Sequence, residues 1–215
     1  MASTYFGGPN FESGSSATVD PDGNIFFGGH TDWPDFPTTP GVYDEQHNGS
    51  NEFYISKFDN NLTTLLTSTF LTPLLPDNGS GFGYFVDMKC DDSGNVIIVG
   101  NAFDTVFETT GRAFDRTYNG GSSDGALRIL SNDLTELRYS TFFGTDGEDQ
   151  FHRFIRGENG EIYFLGTTNS PNIPIIDSSA AYDYQYAGNV DIFIGKLSQY
   201  FKCGDANIDT KVNLL

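Results

Sequence analysis

Apolar positions along this chain fall in short runs bounded by glycine and polar residues, and they do not follow the i, i+3, i+4 spacing of an amphipathic helix. The run Gly-Asn-Ile-Phe-Phe-Gly-Gly at position 23 returns as Gly-Asn-Val-Ile-Ile-Val-Gly at 94 and as Gly-Glu-Ile-Tyr-Phe-Leu-Gly at 160. A second motif, Ser-Thr followed by aromatic or apolar residues, stands at Ser3, Ser68 and Ser140. The first unit predicts four short strands, over residues 15–19, 24–29, 53–58 and 65–71. Asp20-Pro21-Asp22-Gly23 joins the first two as a tight turn in which Pro fixes φ and Gly supplies φ > 0. Asp91 to Gly94 and Gly157 to Gly160 repeat that turn, so the recurring glycine is a matter of backbone geometry. A longer link between the second and third strands carries a bulky apolar residue near its start (Phe36, Phe107, Ile173) and an aromatic near its end (Tyr43, Phe114, Tyr182), read as packing anchors.

Four antiparallel strands per repeat, with glycine-bounded hairpins, predict an all-β fold: a β-propeller of four-stranded blades. The three blades span about residues 3–66, 67–138 and 139–202 of the 1–202 region, with 203–215 an acidic tail or linker. Three blades fall short of the four to eight that usually close a ring. The Ser3 strand has no blade before it, and the third unit has no Ser-Thr-Phe strand behind it. The expectation is therefore either further blades in a longer parent, or two chains joined head to tail, each N-terminal strand completing the other's last blade.

The string Ser-Thr-Tyr-Phe-Gly-Gly at the start, Val19-Asp20-Pro21-Asp22-Gly23-Asn24-Ile25, Asp35-Phe36-Pro37-Thr38-Thr39, Asn48-Gly49 and Phe53 to Phe58 resembles the bacterial SBBP-type β-propeller repeat. The second unit departs from it, with Thr72 to Pro76 in place of the Gly-Gly and Gly125 to Arg128 in place of an aromatic third strand. The resemblance implies a propeller in a large secreted or cell-surface protein, of the kind many Bacteroidota carry, and it implies no reaction.

The content is 37% hydrophobic and 15% aromatic, enough for a packed core, and 29 acidic against 11 basic residues give a formal charge of −18. That charge repels phosphate backbones and anionic lipid, which disfavours nucleic acid and membrane partners. The first residues show no basic leader and no apolar stretch, so no signal peptide is read in this chain. Two cysteines support no disulfide framework; Cys90, in step with Val86 and Met88, reads as a core residue.

Candidate chemistry is sparse. Gly121-Ser122-Ser123-Asp124-Gly125 fits G-x-S-x-G, but a nucleophile elbow needs a helix behind it and a strand is predicted there. The three histidines show no metal-ligand spacing. His152, Arg153 and Arg156 gather positive charge on the innermost strand of unit three, where they either face an anionic group in the channel or pair with nearby carboxylates such as Glu148 and Asp149. In the tail, Asp205, Asn207 and Asp209 alternate as the first ligands of a calcium loop do, and the stretch is similar to the opening of a dockerin loop. Thr210 replaces the expected turn glycine, so the alternative is a plain acidic linker.

The leading expectation is a non-catalytic extracellular scaffold or adhesion segment that meets a protein or glycan through its blade loops. The alternatives are part of a glycan hydrolase or lyase, because propellers host such sites at the channel mouth, and a calcium-dependent assembly module. No cofactor is expected beyond possible calcium.

Overall fold

The computed structural model describes residues 2–48, 52–71, 84–103, 105–173, 182–183, 185–198 and 211–214. They form three four-stranded antiparallel sheets, with no helix among the described residues. Sheet one holds β1 (Glu12–Val19), β2 (Ile25–Thr31), β3 (Glu52–Phe58) and β4 (Leu65–Phe70) in sequence order. Sheet two repeats the meander with β5 (Tyr84–Cys90), β6 (Val96–Ala102), β7 (Asp124–Leu130) and β8 (Leu137–Phe143). Sheet three runs β9 (Asp149–Arg156), β10 (Ile162–Thr168), β11 (Asp191–Ser198) and β12 (Lys211–Leu214). The four strands expected from the first repeat are thus present within a few residues, the first of them starting earlier than the pattern suggested.

The repeated glycines do two separate jobs. Gly23, Gly94 and Gly160 turn the hairpins at φ of 86°, 77° and 84°, a region that costs a side chain strain. The strand glycines Gly29, Gly100 and Gly166 each pair beside a β-bulge on the first strand of their sheet, where Ser15, Val86 and His152 are the extra residues. The bulge pushes the first strand's backbone against the glycine: a Cβ on Gly29 would lie 1.7 Å from Ser13 O, and one on Gly166 2.3 Å from Gln150 O.

Each strand's side chains alternate between the two faces of its sheet, and both faces of the middle sheet are covered. Phe26, Phe53 and Ile55 of sheet one share an apolar core with Met88, Val96 and Ile98 of sheet two. Ile97, Val99 and Leu127, on sheet two's other face, share a second core with Phe151, Phe164 and Phe193 of sheet three. The first strands lie together, β1 against β5 and β5 against β9. Ser16 Oγ donates to Asp87 Oδ1 across the first of these junctions at 3.0 Å.

Two cations are buried at the first joint. Lys57 Nζ lies 2.8 Å from Asp20 Oδ2, stacks 4.9 Å from the Phe26 ring and donates to Asn132 Oδ1 of sheet two. Fully buried Arg128 donates to Leu71 O and lies over the Phe107 ring at 4.4 Å, in the field of Asp44 and Glu108.

The bulge geometry makes a direct prediction. Gly166→Ala places a methyl against a backbone carbonyl that cannot rotate away, so it is expected to lower the unfolding free energy by about 1–3 kcal/mol, read from the shift of the urea midpoint. Gly14, beside which a Cβ meets nothing within 4 Å, tolerates the same change with a much smaller shift.

Candidate functional site

The expected cation cluster on β9 is divided by the strand's own geometry. His152 is the bulged residue; it is exposed and its Nε2 lies 2.9 Å from Thr167 Oγ1. Arg153 is also exposed, with Nη1 donating to the His152 carbonyl at 2.8 Å. Arg156 points into the joint between sheets two and three, where Nη1 donates to Cys90 O at 2.9 Å and Nη2 meets Asp92 at 3.1 Å. Its partner is therefore the β5–β6 turn, not Glu148 or Asp149. Arg153 occupies the position that Ser16 holds on β1 and Asp87 on β5, so the three first strands carry a polar residue at one repeated place.

A cleft of about 460 Å³ opens between the loops of sheets two and three. Phe114, Asp115 and Asn119 line it from the β6–β7 loop, Gly144, Thr145 and Asp146 from the β8–β9 connection, and Asn172 from beyond β10. Its polar groups are held within their loops and by the loops beside them. Asp115 Oδ1 accepts from Thr117 N–H at 2.9 Å and Oδ2 from Asn119 Nδ2 at 2.6 Å, and that amide also donates to Gly144 O at 3.2 Å. Asp146 Oδ1 accepts from Ser170 Oγ at 2.9 Å and from Asn172 Nδ2 at 3.3 Å, bonds that hold its carboxyl below the usual carboxylate range. Phe114 forms the apolar wall, stacked on Phe143 with ring centroids 6.2 Å apart.

Many carboxylates of this acidic chain close turns, each accepting from a backbone N–H four residues away. Glu12 takes Gly8, Glu52 takes Asn48 and Asp149 takes Thr145; Asp124 does the same for Asn119, five residues away. Asp20 and Asp91 do it in the opposite direction for Asn24 and Asn95 in the hairpins. Asp124 and Asp149 are both fully buried beneath the cleft, each with its Oδ1 lacking a hydrogen-bond partner. Burial pushes the Asp124 carboxyl up to about 7; the Asn119 N–H opposes this, and the charges of Asp149 and Asp115 reinforce it.

The serine of the G-x-S-x-G stretch is no nucleophile. Ser123 is buried, its Oγ accepts from Gln150 Nε2 at 3.2 Å, and strand β7 begins at the next residue where an elbow needs a helix. Asp205, Asn207 and Asp209 lie outside the described residues; within those described, no group of three or more His, Cys, Asp or Glu could hold a metal ion. Cys90 is buried and unbridged, and burial raises its thiol to about 12, as suits a core residue. No helix of the described residues is long and apolar enough to cross a membrane. No protein-family model matches the chain, and no curated protein does either.

Sequence reasoning missed the cleft, because its residues come from three separated loops that only the stacking of two sheets brings together. The one signal present was the Asx pattern of Asp115, Thr117 and Asn119, which marks a rigid loop and not its neighbour across the joint.

Asp124 gives a pH prediction. Its folded pKa is raised above the ordinary 3.8, so the native state holds a proton that the unfolded chain releases. Its contribution to stability is present at low pH and is lost as pH rises from about 4 through 7. Asp124→Asn keeps an acceptor for Asn119 N–H and removes the charge. The variant is expected to melt higher than the parent at pH 8, with the difference shrinking toward pH 5 in thermal scans; an unchanging difference would refute the assignment.

Proposed function

We propose that this chain is a segment of a β-propeller that serves as a non-catalytic binding scaffold at the cell surface, and that the cleft between sheets two and three takes a neutral glycan. The observation that carries this reading is the cleft's composition: carboxylates and amides fixed by hydrogen bonds within and between the loops, beside one aromatic wall. Such groups match the hydroxyls and the apolar ring face of a sugar, while the surrounding negative charge disfavours phosphates and sulfates. Support for the propeller comes from the three repeated meanders and from their first strands lying side by side. The SBBP-like strings support the extracellular location.

The non-catalytic reading rests on how the acids are used. A glycosidase needs two carboxyls reaching the sugar from either side of the bond. Here the carboxyl with the most raised pKa near the cleft, Asp124, is sealed from solvent and engaged by a turn, and Asp146 is engaged by Ser170 and Asn172.

The test is a glycan array probed with the full 215-residue chain, followed by calorimetry with any hit. Asp146→Ala combined with Asn172→Ala is expected to weaken binding about tenfold or more, the cost of losing hydrogen bonds to a charged group. Glu45→Ala, on a loop of sheet one, leaves it unchanged. Release of shortened saccharides from a bound glycan would overturn the non-catalytic reading, and a blank array would overturn the glycan.

A further inference from the structure

The chain displays, inside itself, what covers each of its two end faces. At the end of β4, Phe70 N–H donates to Asp44 O at 3.0 Å, Asp44 N–H to Thr69 Oγ1 at 2.9 Å, and Thr39 N–H to Ser68 O at 3.0 Å. At the end of β8 the same lock recurs with Phe142 to Asp115 at 3.0 Å, Asp115 to Thr141 at 2.9 Å, and Thr110 to Ser140 at 3.1 Å. The next residue, Phe143, then packs onto sheet three, edge-on to Phe164 at 5.1 Å.

Ser3-Thr4-Tyr5-Phe6 is a third copy of this segment. Phe6 sits on sheet one as Phe143 sits on sheet three, edge-on to Phe27 at 5.4 Å, and Phe27 is the counterpart of Phe164. The residues before it find nothing comparable: Tyr5 is fully exposed at 103%, while its counterparts Phe70 and Phe142 are buried.

Sheet three offers the matching receptor. Asp183 Oδ1 accepts from Gln185 N–H at 2.9 Å, and Asp191 Oδ2 from Ala187 N–H at 2.6 Å. These repeat the bonds that shape the Asp44 and Asp115 loops, namely Gln46 to Asp44 at 2.9 Å and Thr117 to Asp115 at 2.9 Å, with Glu52 and Asp124 closing from below. Tyr182, counterpart of the packed Tyr43 and Phe114, is 104% exposed. Ile192 and Ile194, counterparts of Phe53 and Ile55 in the first inter-sheet core, are exposed at 72% and 56%. Strand β12 pairs with Gly195 to Ser198 of β11. The counterparts Ser56 and Lys57 take Ser68 and Thr67 of β4, so the fourth-strand place of sheet three is held by this chain's own β12 and not by the N-terminal strand of a second chain.

We propose that sheet three is covered by sheet one of a second copy of this chain, which sets Tyr5 and Phe6 beside Ile192, Ile194 and the Asp183 loop, and that two such joints close a head-to-tail dimer. A heterologous contact of this kind closes only if the rotation returns on itself, and two copies bring the blade number into the usual propeller range. Each chain carries a charge of −18, so salt strengthens the association.

Light scattering on the full chain tests this. The expected mass is that of two chains at about 100 μM in moderate salt. Ile192→Asp with Ile194→Asp yields a monomer with an unaltered circular dichroism spectrum, since both side chains are exposed in the single chain. Tyr5→Asp raises the dissociation constant by about tenfold or more. A parent that stays monomeric, a dimer that survives the isoleucine variant, or a ladder of larger masses overturns the proposal. None of these outcomes bears on the glycan reading, because that cleft lies between sheets two and three of one chain.

Discussion

The structure depends on one constraint: a sheet with apolar side chains on both faces cannot stand in water by itself. Sheet two shows the constraint met. Val96 and Ile98 face one neighbour, Ile97 and Val99 the other, and all four are fully buried. At roughly 25 cal/mol per Å² of apolar surface removed from water, those contacts outweigh any turn or ion pair in the molecule. The hairpin turns, the bulges and the carboxylate-closed loops act by presenting each sheet to its neighbour at the right spacing.

That ordering explains where the acids and the cations are spent. A chain this acidic invites a search for catalytic pairs, yet its carboxylates hold backbone N–H groups at loop ends that the sheets leave without partners. Lys57, Arg128 and Arg156 are likewise committed to the joints, where each reaches from one sheet to a carbonyl, amide or carboxylate of the next. Breaking such a buried contact by removing one partner leaves a desolvated charge, which is why the cations read as parts of the packing.

Much of the fold was legible in the sequence because its signals are local. Turn glycines, alternating strands and the repeat at 23, 94 and 160 each act over a few residues, and the sheets appear where those signals stand. The strand glycines were visible as a repeat, but their reason was not. It lies in bulges at Ser15, Val86 and His152, which depend on pairing across the sheet. Simple alternation explains why His152, Arg153 and Arg156 did not come together: Arg153 and Arg156 stand three residues apart after the bulge and so take opposite faces of the sheet. The cleft was illegible for a related reason, since Asp115, Asp146 and Asn172 meet only after two sheets have stacked.

The repeat also supplies an internal control that a single sheet could not. When one position is buried in two copies and exposed in the third, sequence preference is nearly constant and the difference must come from what lies opposite. Phe53 and Ile55 are buried because sheet two covers them; Ile192 and Ile194, at the same places in the pleat, have no such cover among the described residues. The segment Ser3 to Tyr5 shows the converse, a lock whose two sister copies both close on an aspartate of the β2–β3 or β6–β7 loop. An apolar face and an exposed segment, each the sister of a buried one, are complementary in chemistry, which makes the joint between end sheets the natural continuation of the joints already formed within the chain.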